Sequence, residues 1–190
     1  VARYGARGPL IIGPLIVALG FVLFALPSVG GSYWKAFFPA VVVIGFGMAV
    51  TVAPLTTVVM SSVNQDRAGT ASGINNAVAR VAGVLAIAVL GVVMVKAFGF
   101  RLDNELAQFS LAPGILRELH ADKIQLAGLQ VPAGLNPGMK IAIRESIGVA
   151  FVFGFRIVML ICGGLSVAGA AVAWLLLPKG REHPGFATRL

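Results

Sequence analysis

The sequence predicts an all-α polytopic membrane protein with four transmembrane helices, and three observations predict it. Four long apolar stretches, Pro9–Leu26, Ala36–Met60, Ile74–Val95 and Ile147–Leu177, contain no Asp or Glu. Each is long enough to cross ~30 Å of hydrocarbon at ~1.5 Å per helical residue. Only 12% of the residues are charged and 58% are hydrophobic, about half the charge of a soluble domain. Helices that are apolar all round need lipid or other protein about them. Finally, 24 glycines and 10 prolines would oppose helices in water but are tolerated within a bilayer.

The elements follow in order. Residues 1–98 hold the end of a cytoplasmic loop and three spans, at about 9–27, 36–60 and 70–98. Residues 99–145 form an external link. The fourth span covers 146–178, and 179–190 are a cytoplasmic tail. The start is no secretory signal, because its apolar run is too long and no small-residue cleavage site follows. The chain opens on Val rather than Met, which fits either a fragment or an alternative start codon.

Charge orients the spans. Arg3 and Arg7, then Arg67 and Arg80, then Lys179, Arg181 and Arg189 fall on one side of an alternating bundle, whereas the short link Pro27–Lys35 carries only Lys35. The positive-inside rule therefore places both termini in the cytoplasm, as in a bacterial inner membrane. Lys96, Arg101, Arg117, Lys123, Lys140 and Arg144 in the long link blur that pattern. The net charge of +8 is too scattered for nucleic acid; it reads as anchoring to headgroups. Cys162 lies alone in the fourth span, so no internal disulfide forms, and a small packing role fits it.

The long link has structure of its own. Leu102, Leu106 and Phe109 share one helical face, and Ile115, Leu116 and Leu119 form a second short stripe after Pro113. Short amphipathic helices in the outer headgroup layer suit both. Ala127–Pro137 is turn-like. Asn136-Pro137 reads as an N-cap followed by proline at the first helical position, so the last helix starts there and runs ~60 Å to Leu177.

Within the spans, small and polar residues carry the interest. Gly45, Ala49 and Ala53, with Gly47 beside them, make a smooth face for helix packing. Pro54 removes a backbone hydrogen bond and is expected to kink the second span. Glycine before and proline after the middle suits a cavity-lining transport helix, with Thr51, Thr56 and Thr57 nearby. Simple helix packing is the alternative for each glycine. In the third span Gly69, Gly73 and Ala77 repeat at four residues, as do Ala79 and Gly83. Asn75 and Asn76 need partners, because an unpaired amide in hydrocarbon costs several kcal/mol; another helix, a wet cavity or interfacial water would each serve. Arg80 reads as a snorkelling anchor. Arg156 sits two to three turns inside the fourth span, where it either snorkels outward or pairs with a carboxylate or backbone carbonyls.

Enzyme chemistry is not in view. His120 and His183 are isolated and expected to be solvated. Gly45-Phe46-Gly47 is a lone pair of glycines in an apolar helix, not a nucleotide loop. No catalytic constellation, metal-ligand set or cofactor motif stands out.

These residues resemble the fourteen-helix drug/proton antiporter branch of the major facilitator superfamily. Arg3-Tyr4-Gly5-Ala6-Arg7-Gly8-Pro9-Leu10 resembles the tail of that superfamily's basic cytoplasmic loop motif, without the motif's acidic start. Gly45-Phe46-Gly47-Met48-Ala49, then Pro54-Leu55-Thr56, then Gly69-Thr70-Ala71-Ser72-Gly73-Ile74-Asn75-Asn76 is the most specific match. Gly154-Phe155-Arg156 after a long external link is similar too. The resemblance covers nearly the whole chain and implies helices eleven to fourteen of such a carrier.

It also implies a function, multidrug efflux by alternating access, with Thr51, Pro54, Asn75 and Asn76 as cavity or gating elements. Gly45, Gly47, Ala49, Gly69, Gly73 and Gly83 would set close helix contacts. Arg7, Arg80 and Arg156 would anchor or pair. The expected partners are lipid, the N-terminal half of the carrier, small amphipathic substrates and protons, with no nucleic acid. No carboxylate lies in the four apolar stretches, so a proton-coupling group must come from elsewhere in the carrier. A four-helix membrane scaffold, or a facilitator for another small molecule, are the alternatives.

Overall fold

A computed structural model describes residues 7–30, 33–61, 63–109, 111–132 and 134–177. All regular structure among them is helical. Four long helices, α1 (Arg7–Ala25), α3 (Phe38–Ser61), α4 (Ala68–Leu106) and α6 (Pro137–Leu176), are apolar and long enough to span a bilayer. A single-turn α2 (Tyr33–Ala36) leads into α3, and α5 (Pro113–Ala121) lies between α4 and α6. The tail 179–190, with His183 and Arg3, falls outside the described residues.

The helices zigzag, and their registers can be read from neighbouring residues. Gly13 of α1 lies against Gly47 and Thr51 of α3, and Gly20 against Ala40 and Ile44. Numbers rise on one helix as they fall on the other, so the pair is antiparallel. Along the other flank of α1, Arg7 meets Trp174, Ala18 and Phe21 meet Gly163, and Leu26 and Pro27 meet Arg156 of α6. Thus α1 is sandwiched between α3 and α6. Finally α4 meets α6 where Met94 and Phe98 approach Gly154.

Beyond that point α4 and α6 continue together out of the apolar zone. Phe98, Leu102 and Leu106 of α4 and Ile143, Ile147 and Ala150 of α6 form one buried cluster with Leu119 of α5 and Leu129. This cap holds the largest fully buried side chains of the chain. Water is the solvent there, and burying each such side chain contributes ~1.5–3 kcal/mol. Within lipid that driving force vanishes, and helices associate through close van der Waals contact of small residues instead. The buried apolar residues of α1 and α3 are accordingly small for the most part: Ala18, Ala25 and Ala40 beside Leu10.

One expectation is corrected: Leu102 and Leu106 do not form a separate helix in the headgroup layer, because α4 runs unbroken to Leu106. Their stripe is covered by α6, which is why the helix persists. The last helix does begin at Pro137. The Asn136 carboxamide oxygen accepts the Met139 N–H at 2.7 Å, and Pro137 occupies the first turn.

Candidate functional site in the membrane spans

The α1–α3 seam is the tightest contact between spans. A Cβ placed on Gly47 would lie 2.8 Å from the Val17 nitrogen and 2.9 Å from the Gly13 carbonyl oxygen. One on Gly13 would collide with the Thr51 hydroxyl, and one on Gly20 with the Ile44 side chain. Gly13 and Gly20, seven residues apart, present one small-residue groove into which α3 settles. Sequence reasoning overlooked this groove, although the seven-residue spacing signals it.

Thr51 belongs to this seam. It is half-buried against Gly13, and its hydroxyl donates to the Gly47 carbonyl at 2.8 Å. Pro54, one turn on, is buried, and helix α3 continues through it to Ser61. Thr56 and Thr57 are exposed and donate to the carbonyls of Val52 and Ala53 at 2.8–3.1 Å. Returning each hydroxyl to its own helix satisfies it within hydrocarbon. Thr56 and Thr57, with Met60, Val63, Gln65 and Ala68, border an open cleft of 600 Å³ at the turn from α3 to α4.

The other expected site residues lie on open faces. A Cβ on Gly45, Gly69, Gly73 or Gly83 would meet nothing within 4 Å, so these glycines, unlike Gly47, make no close contact among the described residues. Ala49 and Arg80 are exposed, as is Asn76, and Asn75 is half-buried. Neither asparagine amide has a hydrogen-bond partner among the described residues. The stretch of α4 that would cross the bilayer is bare on nearly every side: Ile74, Val78, Val81, Val84, Leu85, Ile87, Val89 and Val92 are all exposed.

Arginines close the α1–α6 pair at both ends. Arg7 donates to the Trp174 carbonyl at 2.7 Å, in the last turn of α6. Arg156 donates to the Pro27 carbonyl at 3.1 Å and the Leu26 carbonyl at 3.4 Å, just past the end of α1. Each cation thus meets otherwise unpaired carbonyls at the negative end of the partner's dipole. Arg156 takes the backbone-carbonyl alternative, with its Nε buried and without a partner. His120 is exposed, as expected, but not isolated: its Nε2 lies 3.0 Å from the Asp103 carboxylate, which also accepts the Lys123 ammonium at 2.6 Å. The topology folds α5 back onto α4 and brings together residues far apart in sequence. Among the described residues no group of three or more side chains is arranged to hold a metal.

Four apolar helices, glycine-led contacts between α1 and α3 and hydroxyls returned to the helix backbone in α3 and α6 define a multi-pass α-helical membrane protein. Residues 1–102 match the family model of the Major Facilitator Superfamily. The chain belongs to that family of transporters, rather than to a family of enzymes. It is 29% identical, over 91% of its length, to the tetracenomycin C resistance and export protein of Streptomyces glaucescens. It is 27% identical, over 97%, to the multidrug resistance protein Stp of Mycobacterium tuberculosis. It is 28% identical, over 95%, to a triacylglyceride transporter of Mycolicibacterium hassiacum. These alignments cover 32%, 35% and 32% of the respective relatives, so the chain spans about a third of their length. The fourteen-helix branch is consistent with these matches. No solved structure matches the chain at comparable significance.

Proposed function

We propose that this chain forms the C-terminal helices of an exporter of small amphipathic molecules that works by alternating access in exchange for protons. One observation carries the reading. Gly69, Gly73 and Gly83 of α4 and Gly45 of α3 are suited to close contact and have no close neighbour among the described residues, while the family relatives are about three times as long. An N-terminal half would supply the facing helices, and a substrate path would run between the halves. The tetracenomycin C resistance and export relative and the multidrug resistance relative support drug-like cargo. The proton-coupling carboxylate would lie in that other half, since the apolar stretches here contain none. Both termini would face the cytoplasm of a bacterial inner membrane, with the 600 Å³ cleft at Thr56 and Thr57 opening on that side. Thr51 and Pro54 would act by shaping the α1–α3 seam, and Asn75 by facing the path.

The test is efflux of a cationic dye by cells expressing the full-length carrier. Lower dye accumulation than in control cells, restored by an uncoupler, is the expected result; accumulation indifferent to the uncoupler removes the proton exchange. The triacylglyceride-transporting relative favours a second reading, a lipid cargo. Uncoupler-sensitive export of labelled triacylglycerol with no dye efflux would select it.

A further inference from the structure

The end of the bundle where α1 stops carries positive charge that nothing in the chain neutralises. No Asp or Glu occurs before Asp66, so α1, α2 and α3 are without acid. Lys35 of α2 is exposed and has no carboxylate partner among the described residues. Arg156 approaches the same loop, and the partners of its guanidinium are the neutral carbonyls of Leu26 and Pro27. Two cations therefore flank the Pro27–Ser28 loop.

The same place is hollow and greasy. A cleft of 360 Å³ runs from Lys35 past Pro27 and Ser28 to Leu23, Leu26 and Ala40. On the other side of Pro27 and Ser28 a smaller hollow of 110 Å³ is walled by Phe24, Phe37, Phe151 and Phe155. Around the rim, Tyr33 stacks on Phe37 with centroids 6.2 Å apart, and Trp34 lies 5.2 Å from Phe38. Exposed Tyr and Trp beside a lysine mark the level of the headgroups. A cation at that level above an apolar trough suits a molecule with an anionic head and a hydrocarbon tail.

We infer that the cleft between α1, α2 and α3 binds an anionic phospholipid from the adjoining leaflet, its phosphate against Lys35 and the start of an acyl chain along Leu23, Leu26 and Ala40. The bound lipid supplies the negative charge that the chain lacks there. Because it leans on the Pro27–Ser28 loop, it also steadies the end of α1 that Arg156 holds. This site is independent of what the carrier exports.

The experiment is native mass spectrometry of the purified chain in mild detergent with added dioleoylphosphatidylglycerol or dioleoylphosphatidylcholine. Wild type should retain the anionic lipid preferentially. Lys35→Gln should lower that retention about fivefold, the worth of one interfacial cation, and leave phosphatidylcholine unchanged; Arg144→Gln, in the exposed part of α6, should alter neither. Ala36→Phe, which fills the cleft, should lower retention of both lipids. Equal phosphatidylglycerol retention by wild type and either cleft variant overturns the site. Displacement of the lipid by millimolar inorganic phosphate overturns it too, by showing a pocket for free anions.

Discussion

Arg156 and Pro27 are joined by a guanidinium-to-carbonyl hydrogen bond of 3.1 Å that ties the middle of α6 to the end of α1. At the far end Arg7 and the Trp174 carbonyl repeat the arrangement in the opposite sense. The pair is thus fastened at both ends by a side chain of one helix and the backbone of the other, with Gly163 letting α1 lie close in between.

Arg156→Ala should remove a charged donor from two carbonyls and lower the stability of the detergent-solubilised chain by about 1.5–3 kcal/mol. Arg156→Lys keeps the charge but has no planar fork, and should recover only part of that loss. Thermal unfolding followed by circular dichroism measures both. A lysine variant as stable as wild type would reduce Arg156 to a simple anchor.

Glycines on α3 should separate by face. Gly47→Leu forces α1 and α3 apart, costing about 1–3 kcal/mol or more, and should lower the unfolding temperature. At Gly45 an added Cβ meets nothing within 4 Å among the described residues, so Gly45→Leu faces open space there. It should leave insertion and unfolding unchanged yet abolish efflux by the full-length carrier. Normal efflux in that variant would detach the Gly45 face from the substrate path.

The cap should behave as a water-packed core. Leu102→Ala and Ile143→Ala each empty a fully buried site and should cost about 2–5 kcal/mol. Because both side chains belong to one cluster, the double variant should lose less than the sum. Proteolysis rates in the 107–136 segment report the opening. Additive losses would mean the two positions are not in contact.

Asp103→Asn leaves Lys123 and His120 without their carboxylate. With the Asp103 side chain 46% exposed, the loss should stay below about 1 kcal/mol. Cap proteolysis should quicken only slightly. A collapse of the cap in this variant would show that the cluster, rather than the leucines, holds α5 in place.

The spans were legible because hydrocarbon leaves so little choice: an apolar run of this length has to be a helix. Asn136-Pro137 announced the start of α6 by local chemistry alone. What the sequence hid is the pairing. Nothing in the Gly45 and Gly47 repeat says which of the two glycines meets α1, since both sit on small-residue faces and only the registry of the partner decides. Thr51 read as a cavity residue because glycine before and proline after the middle of an apolar helix invite that reading; its half-buried place against Gly13 and its bond to the Gly47 carbonyl were not legible. His120 read as isolated because Asp103, seventeen positions away, reaches it only after the cap folds back.

Helix α6 has 40 residues, ~60 Å of rod against ~30 Å of hydrocarbon. Its outer part is clasped by the leucine cluster and its inner part by α1. Such a rod works as a lever: a swing of about 10° at mid-length carries either tip through about 5 Å. Labels at positions well clear of the bilayer would therefore register any tilt of α6 within it, and whatever grips the cap from outside would resist that tilt.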